Sequence, residues 1–451
     1  MSTWIIILIV CFVVVIVLWL MFGINWRSNR NYDRKHHLLQ AKMQAEDTEE
    51  LQQLLSSDSL TMHVEPRFRP LAKILSQRGR LSVSTSEAEI IISGRRKYDL
   101  LIRDILNAKE SIHMEYFHFG MDKSSRRIRA LLMRKARQGV KVRFINENIA
   151  NFPIPSIYFL SMRRAGVEVV NFSNTRFSLL RFLMTLSYRD HRKIVVIDGR
   201  IGYTGGMNIN DHYFYQWRDT HLRLTGDAVA SLQYTFLDTW LVTGGQLPVP
   251  INSFFPMLAN VQTDGSPLHN EIPEVLLTQV STDDPTAPEP ALLTAYEWIL
   301  NHAQHYVWFQ SPYLAPPFSL IEAMRQAVRR GVEVRIMLPE QCDTPIMRPI
   351  NKSFYADMLQ AGVQLYTRGG EFMHSKTLVC DDYLSMVGSS NLDYRSFGID
   401  YEINTFFYDR DIALRQKHIF EADLPICRQP DAGEVKTTPW QRLMRLLAPI
   451  V

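Results

Sequence analysis

The stretch HRKIVVID (residues 191–198) returns in the second half of the chain as HSKTLVCD (residues 374–381). Both copies read His, any residue, Lys, four residues, Asp. Their apolar runs predict that each copy enters a β-strand, in which side chains two residues apart share one face. The sequence therefore places each histidine beside its lysine, His191 with Lys193 and His374 with Lys376.

The common register continues beyond both copies without a gap. A glycine, an asparagine and a carboxylate follow each histidine, and each lies at the same offset in both copies. These residues are Gly205, Asn208 and Asp219 in the first copy and Gly388, Asn391 and Glu402 in the second. Taken singly, each residue reads as a turn or surface residue, but equal offsets in two copies favour a shared function.

Longer segments repeat as well. RKARQGVKVRFINE (134–147) resembles RQAVRRGVEVRIMLPE (325–340), and MRRAGVEVV (162–170) resembles MLQAGVQLY (358–366). Hydrophobic spacing predicts alternating helices and strands, which indicates an α/β fold. The predicted helices are Tyr98–Ala108 and Ile128–Arg137, and the predicted strands are Ser111–Phe119 and Val140–Ile145. We expect two duplicated α/β sandwich domains packed about a pseudo-two-fold axis.

The first residues predict a membrane anchor. Trp4 to Ile24 is an uninterrupted run without a charge, and as a helix it would reach roughly 31 Å, enough to cross a bilayer core. Four positive charges follow at once (Arg27, Arg30, Arg34 and Lys35), so the positive-inside rule places the rest of the chain in the cytoplasm. We predict a single-pass protein of the cell (inner) membrane.

These patterns divide the chain into six parts. They are a transmembrane anchor (1–26), a juxtamembrane neck (27–84), a first catalytic domain (85–245), a proline-rich linker (246–273), a second catalytic domain (274–428) and an amphipathic tail (429–451). The formal net charge of +4 is small for 451 residues, so no nucleic-acid partner is expected. The four cysteines form no CxxC pair, and no zinc-type spacing is present.

The residue types in the two motifs suit phosphodiester chemistry. One imidazole can attack phosphorus, and a second, protonated imidazole can give its proton to the leaving oxygen. Lysine and asparagine side chains can hold the nonbridging oxygens, and a carboxylate on the far ring nitrogen fixes the tautomer of each histidine. Since each half supplies one motif histidine, the two halves must face each other across one site. We expect Asp219 to orient His191 and Glu402 to orient His374.

The motifs resemble those of the phospholipase D superfamily, over roughly residues 85 to 425, and are most similar to those of bacterial cardiolipin synthases. The resemblance rests on HRKIVVIDGRIGYTGGMNIND (191–211), WRDTHLRLTGDAV (217–229), SPYLAPP (311–317) and the segment from His374 to Asn404. It implies a catalytic set of His191, Lys193, Asp198, His374, Lys376 and Asp381. It implies phosphate binding by Asn208 and Asn391, with no metal and no organic cofactor.

The resemblance also implies transfer of a phosphatidyl group from one phosphatidylglycerol to another, with His191 as the nucleophile and His374 as the acid. Pseudo-symmetry leaves the reverse assignment open. Phosphatidylglycerol, other anionic phospholipids and the membrane are the expected partners, and the sequence does not set the oligomeric state. Hydrolysis, transfer to another alcohol, a membrane-tethered nuclease and a noncatalytic lipid-binding scaffold are the alternatives.

Two further segments combine apolar and basic residues, as membrane-surface segments do. They are RFSLLRFLMTLSY (176–188) and PWQRLMRLLAPIV (439–451). Each segment could contact lipid or pack against the protein, and the sequence favours neither.

Overall fold

A computed structural model describes residues 38–46, 48–79, 81–172, 188–260, 275–285 and 289–449. The predicted anchor (residues 4–24) and nearly all of segment 176–188 lie outside the described residues. Within the described ranges, no helix is both long enough and apolar enough to traverse a bilayer. The chain has a mixed α/β fold built from two repeated halves.

The strands of the described part of the chain form one large sheet and one small sheet. The first half contributes β1 (Ser84–Ile91), β2 (Ser111–Tyr116), β3 (Lys141–Asn146), β4 (Glu168–Asn171), β5 (Lys193–Ile197), β6 (Ile201–Gly205) and β7 (His221–Thr225). The second half contributes β8 (Leu276–Asp283), β9 (Tyr306–Gln310), β10 (Leu314–Ala315), β11 (Glu333–Pro339), β12 (Gln364–Arg368), β13 (Thr377–Cys380), β14 (Leu384–Gly388), β15 (Leu392–Asp393), β16 (Glu402–Tyr408) and β17 (Cys427–Arg428).

The order of the large sheet shows the duplication directly. From the centre outward, the first half runs β1, β7, β6, β5, β2, β3 and β4, and the second runs β8, β16, β14, β13, β9, β11 and β12 before β17. β1 and β8 pair antiparallel and join the halves. In both halves the motif strand, β5 or β13, pairs antiparallel with the first strand of a parallel set. Each motif therefore begins at the carboxyl ends of those parallel strands.

Helices cover both faces of the sheet. The described helices are Glu49–Ser56, Arg69–Gly79, Gly94–Asn107, Lys123–Arg137, Ser156–Arg164, Asp211–Tyr215, Ala228–Val242, Ala291–His302, Phe318–Arg329, Met347–Ser353, Tyr355–Gln360, Arg410–Asp423, Ala432–Val435 and Pro439–Arg445. On β5, Ile194 and Val196 join the core that contains helix Ala228–Val242, while Val195 and Ile197 join the core on the opposite face. This two-sided burial explains why the motif strand is an unbroken apolar run.

The predicted elements are confirmed, although both predicted helices begin too late. The helix expected over Tyr98–Ala108 begins at Gly94, because the Ser93 side chain caps it by accepting the Arg96 N–H. The helix expected over Ile128–Arg137 begins at Lys123, after the Asp122 cap. Polar capping residues extend a helix beyond its first apolar residue, so hydrophobic spacing alone underestimates its length.

The segments predicted as neck and linker pack against the body wherever they are described. Leu39, Leu51 and Leu55 of the neck are buried in the core that holds helix Ala228–Val242. In the linker, Ile251 and Phe255 are buried in the same core. Neither segment is a free spacer over these residues, because its apolar side chains complete the core between the halves.

Candidate active site

Two short backbone bridges bring the two motifs together. The His191 N–H donates to the Tyr401 carbonyl over 3.0 Å, and the His374 N–H donates to the Arg218 carbonyl over 2.7 Å. Tyr401 directly precedes Glu402, and Arg218 directly precedes Asp219. Each motif histidine is therefore held by the other half of the chain, next to that half's carboxylate.

Because of these bridges, each motif histidine contacts the carboxylate of the other half. His191 Nδ1 lies 3.0 Å from Glu402 Oε1, and His374 Nδ1 lies 2.8 Å from Asp219 Oδ2. The expectation that each carboxylate orients the histidine of its own repeat is therefore wrong. The shared offset of the two carboxylates defines equivalent positions, but the pseudo-two-fold axis decides which histidine each carboxylate meets.

The crossed pairs give both histidines the same orientation. An ionised carboxylate only accepts hydrogen bonds, so Nδ1 of each ring carries the donated proton. Nε2 is then left with its lone pair for a substrate. Both rings are nearly buried, with exposed side-chain fractions of 11% for His191 and 6% for His374.

Both motif lysines lie in the same cluster, as the sequence predicted. Lys193 Nζ donates to the His191 carbonyl over 2.6 Å, and Lys376 Nζ donates to the His374 carbonyl over 2.7 Å. Lys376 Nζ also lies 2.9 Å from Nδ1 and 3.0 Å from Nε2 of His374. Two buried lysine side chains beside two imidazoles form a centre that becomes positive on protonation and suits a phosphate anion.

Burial and mutual repulsion set the protonation states of this centre. Burial lowers the pKa of Lys193 to about 8 and that of Lys376 to about 7. Burial, followed by the charges of both lysines, lowers the pKa of each histidine well below its usual value. Both imidazoles are therefore neutral at neutral pH before a phosphate binds, and Lys376 is then only partly protonated. An entering phosphate anion opposes these shifts and favours a proton on one ring.

The predicted phosphate-binding asparagines lie beside the cluster. Asn208 Nδ2 donates to the Tyr213 hydroxyl over 2.9 Å, and that hydroxyl lies 3.4 Å from His374 Nε2. Asn391 is buried, and its Oδ1 has no hydrogen-bond partner among the described residues. The Asn391 N–H donates to Ser396, whose hydroxyl donates to Glu402 over 2.7 Å. A single bridging residue thus connects each asparagine to the site: Tyr213 lies between Asn208 and His374, and Ser396 lies between Asn391 and Glu402.

The motif aspartates lie elsewhere, and we correct their predicted place in the catalytic set. The Asp198 carboxylate accepts the backbone N–H groups of residues 109 to 111 over 2.8 to 2.9 Å. Asp381 accepts those of residues 304 to 306 over the same distances and pairs with Arg67. Both aspartates follow the far end of the motif strand, with φ angles of 51° and 50°. They close equivalent turns, where hydrogen bonds to a charged group contribute about 1.5–3 kcal/mol each.

Aromatic side chains that the sequence analysis did not single out line the site. Phe117 contacts the edge of the His191 ring at a centroid distance of 4.9 Å. Tyr213, Trp217 and Phe372 surround His374 with centroid distances of 5.2, 5.8 and 6.1 Å. Phe117 directly follows β2, and Phe372 lies two residues before His374. No repeat marks the aromatics around His374, because the residues at the same offsets in the other half, Arg189, Ser396 and Asp400, are not aromatic.

No group of His, Cys, Asp and Glu side chains in the described ranges is arranged to hold a metal ion.

Comparison with known proteins assigns this arrangement to a family. The model of the family described as "Cardiolipin synthase, PLD-like domain" matches residues 101–240 and 297–424, one range in each half. The chain belongs to this cardiolipin synthase family. The predicted phospholipase D resemblance is therefore confirmed, and the chain is a phosphatidyltransferase of the cardiolipin synthase type.

Individual relatives match nearly the whole chain. A cardiolipin synthase of Geobacillus sp. (strain WCH70) is 30% identical over 448 residues, covering 96% of this chain and 85% of the relative. The major cardiolipin synthase of Bacillus subtilis (strain 168) is 30% identical over 469 residues, covering 100% and 94%. The crystal structure of phosphatidylserine synthase from Haemophilus influenzae matches with a TM-score of 0.63 at 16% identity, over 85% of this chain and all of that one. This last likeness concerns the fold alone.

Proposed function

We propose that this chain joins two phosphatidylglycerol molecules into cardiolipin through a phosphohistidine intermediate. The observation that supports this proposal is the pair of histidines whose Nδ1 atoms are held by crossed carboxylates. Each ring presents Nε2 within a cluster that contains both lysines. Family membership supports the lipid substrate, and the geometry supports the two-step chemistry.

The first step forms the covalent intermediate. The lone pair of His191 Nε2 attacks the phosphorus of one phosphatidylglycerol, and the bond from phosphorus to the glycerol oxygen breaks. Protonated His374 gives its Nε2 proton to that oxygen, and glycerol leaves. Lys193 and Lys376 offset the negative charge on the nonbridging oxygens in the transition state.

The second step releases the product. Neutral His374 removes the proton from a glycerol hydroxyl of a second phosphatidylglycerol, and that oxygen attacks phosphorus. The phosphorus–nitrogen bond breaks, so His191 regains its lone pair and cardiolipin leaves. The protonation states of both histidines are then those of the starting complex. Atoms and charge balance without an added cofactor.

Phosphatidylglycerol as the sole lipid substrate should yield one cardiolipin and one glycerol for every two molecules consumed. Activity should persist in EDTA, because the proposed transition state is stabilised by lysines and not by a metal ion. Thin-layer chromatography of the lipids and enzymatic assay of glycerol, with purified full-length protein, test both points. Phosphatidic acid as the main product would instead indicate a hydrolase, and loss of activity that a divalent cation restores would contradict the metal-free mechanism.

We also propose that the enzyme is anchored by a single N-terminal span and touches the membrane with its C-terminal helix. The span is residues 4–24, and the helix is Pro439–Arg445. Met444 and Ala448 of this C-terminal segment are buried against the second half. Trp440, Leu443 and Leu446 are 60%, 56% and 72% exposed. One face of the segment thus packs on the body while the other offers apolar side chains beside Arg442, a combination that suits a lipid interface.

Deletion of residues 1–26 should release the protein from membranes washed with alkaline carbonate, whereas the intact chain should stay in the pellet. The shortened chain should still bind phosphatidylglycerol vesicles, and serine at positions 440, 443 and 446 should weaken that binding. Immunoblots of the fractions and vesicle sedimentation measure the two effects. A shortened chain that resists carbonate, or vesicle binding unchanged by the triple serine variant, would contradict the respective contact.

A further inference from the structure

The buried residues packed around each catalytic carboxylate, on the side away from the histidine, form a layer that differs between the halves. Met207 and Ser390 are equivalent, since each lies at the same offset from the motif histidine of its half. Lys97 Nζ donates to the Met207 carbonyl over 2.7 Å, whereas the Tyr296 hydroxyl lies 3.3 Å from Ser390 Oγ. Lys97 and Tyr296 lie on the helices that follow the first strand of each half (Gly94–Asn107 and Ala291–His302). Each contacts its member of this equivalent pair, although in the register set by the turns at residues 109–111 and 304–306 Tyr296 lies one helical turn beyond the position of Lys97.

In the second half the groups equivalent to Gly206, Met207 and His221 are neutral and hydrogen-bonded. The charge of Arg395, which is paired with Asp400, also acts on Glu402. Asn404 Nδ2 donates to Ser390 Oγ over 2.7 Å, and Ser390 Oγ lies 3.1 Å from Asn404 Oδ1. The hydroxyls of Ser389 and Ser396 both donate to Glu402. Glu402 therefore receives neutral donors in addition to His191.

In the first half the same layer is basic. The Lys97 side chain is fully buried, and beyond Met207 its ammonium faces the rings of Tyr116 at 5.0 Å and Phe214 at 5.8 Å. His221, at the position equivalent to Asn404, is also fully buried. Neither of its ring nitrogens has a hydrogen-bond partner among the described residues. A buried cation needs a compensating charge, and aromatic faces supply only part of it.

Asp219 is the carboxylate that lies against this basic layer. A Cβ added to Gly206 would lie 2.2 Å from Asp219 Oδ1, and one added to Gly205 would lie 2.9 Å from His221 Nδ1. Along the backbone, Gly205 thus lies beside the imidazole, Gly206 lies beside the carboxylate, and the Met207 carbonyl accepts from the Lys97 ammonium. Gly206 is equivalent to Ser389, so Asp219 has no counterpart of the hydroxyl that Ser389 donates to Glu402. Among the described residues, the hydrogen-bond donors to Asp219 are the Thr220 N–H at 2.6 Å and His374 Nδ1 at 2.8 Å.

We propose that Lys97 is a positioning residue that keeps Asp219 ionised and so commits His374 to proton transfer. This inference rests on the proposed two-histidine mechanism and deepens it. An ionised Asp219 holds the Nδ1 proton of His374 and stabilises the imidazolium that must protonate glycerol. Glu402, with hydroxyl donors and no cation at the place of Lys97, leaves His191 to act as the nucleophile.

Several neighbouring groups shift the pKa of Asp219, and the direction of each shift determines how activity depends on pH. The titratable or charged residues around it are Lys376, Lys193, Lys97, Arg218, His374, His221 and Tyr213. Burial raises the pKa of Asp219 to about 6, while the charges of Lys376, Lys193 and Lys97 oppose that rise. Burial and the charge of Lys193 lower the pKa of Lys97 well below its usual value, and the negative charge of Asp219 opposes that fall. In the pH range where Lys97 carries its proton, removal of this charge raises the pKa of Asp219, and activity that needs the carboxylate is lost at a higher pH.

Lys97→Gln should move the acidic limb of kcat for cardiolipin formation upward by about one pH unit. As a result, kcat at pH 5 should fall about tenfold relative to wild type, while kcat at pH 8 falls much less. Glutamine keeps a donor for the Met207 carbonyl, and Lys97→Met is a second neutral variant. Tyr296→Phe, which removes the hydroxyl beside Ser390 in the second half, should leave the limb at the wild-type pH. Full kcat and KM profiles between pH 5 and 9 provide the measurement.

An unchanged acidic limb in a folded neutral variant would overturn the proposal. Lys97→Arg keeps the charge and should therefore keep the acidic limb at the wild-type pH. If the limb moves as far in Lys97→Arg as in Lys97→Gln, the effect is due to packing, and the proposal is overturned. The proposed function fails separately, if wild-type protein forms no cardiolipin from phosphatidylglycerol. In that case the pH profile of turnover with a nitrophenyl phosphodiester still tests Lys97, because regeneration of His191 needs His374 as the base.

Discussion

Alanine in place of His374 should leave a burst of nitrophenol from a nitrophenyl phosphodiester, whereas alanine in place of His191 should remove both the burst and turnover. Nitrophenolate leaves without a proton, so the first step needs only the nucleophile. Glycerol is a poor leaving group, and with phosphatidylglycerol His374→Ala should lose about 10²–10⁴-fold in rate. Rapid-quench kinetics combined with mass spectrometry of the trapped enzyme should find the phosphorylated adduct on His191 in the His374→Ala variant.

A buried histidine outside the site provides the control. His113 lies in β2, where its ring contacts Gln233 and stacks on Phe236, so His113→Gln should retain both burst and turnover in the folded protein. An adduct on His374 would reverse the two roles and keep the two-histidine mechanism. Retained exchange in both alanine variants, with no adduct on either histidine, would remove the mechanism.

The local chemistry of the site was predictable because it repeats. Equal offsets from His191 and His374 identified the lysines, the asparagines and the carboxylates. Hydrophobic runs between them identified the α/β alternation. A repeated pattern reports which positions are equivalent, and this information sufficed for the fold class and for the histidines, lysines, asparagines and outer carboxylates of the site.

The pairing across the site was not predictable from the same pattern. Two equivalent carboxylates can serve either their own histidine or the opposite one, and both arrangements satisfy the same offset along the chain. The choice depends on the bridges from His191 to Tyr401 and from His374 to Arg218, which exist only in the assembled molecule. Contacts across a symmetry axis carry no signal in local spacing.

The motif aspartates illustrate the opposite error, because the sequence did contain a usable signal. Asp198 lies seven residues after His191, and at about 3.3 Å per residue an extended chain of that length spans roughly 23 Å. A carboxylate at the far end of a strand cannot share a site with the residue at its start. Asp198 and Asp381 recur because both halves close the same turn, so repetition at equal offset marks structure as readily as chemistry.

The layer behind the carboxylates was missed for a related reason. Lys97 and Tyr296 contact equivalent residues, but they differ in type and lie one helical turn apart in the two halves, so equal offsets identify neither of them. Where two repeats share one catalytic site, residues that differ between the halves can make one histidine the nucleophile and the other the acid. The basic layer beside Asp219 and the neutral layer beside Glu402 supply such a difference.

The crossed pairing predicts that Asp219→Asn and Glu402→Gln will impair different chemical steps. Asparagine at 219 cannot hold the proper tautomer of His374, so turnover with phosphatidylglycerol should fall about 10²–10⁴-fold while the nitrophenol burst persists. Glutamine at 402 acts on His191, so the burst itself should slow by a similar factor. Both amides keep the size of the native side chain, so packing changes little. Burst rate and steady-state rate, measured on the same nitrophenyl substrate, separate the two steps.

Asp283→Asn supplies the matched control, since Asp283 is a buried carboxylate that accepts the N–H groups of Ala291 and Leu292 and contacts no histidine in the described structure. It should leave the ratio of burst rate to steady-state rate at the wild-type value in the folded protein. The opposite result, with a slow burst in Asp219→Asn and a normal burst in Glu402→Gln, would mean either that each carboxylate serves its own repeat or that His374 is the nucleophile. The trapped adduct distinguishes these outcomes, because an adduct on His191 would contradict the crossed geometry and one on His374 would keep it with the roles exchanged.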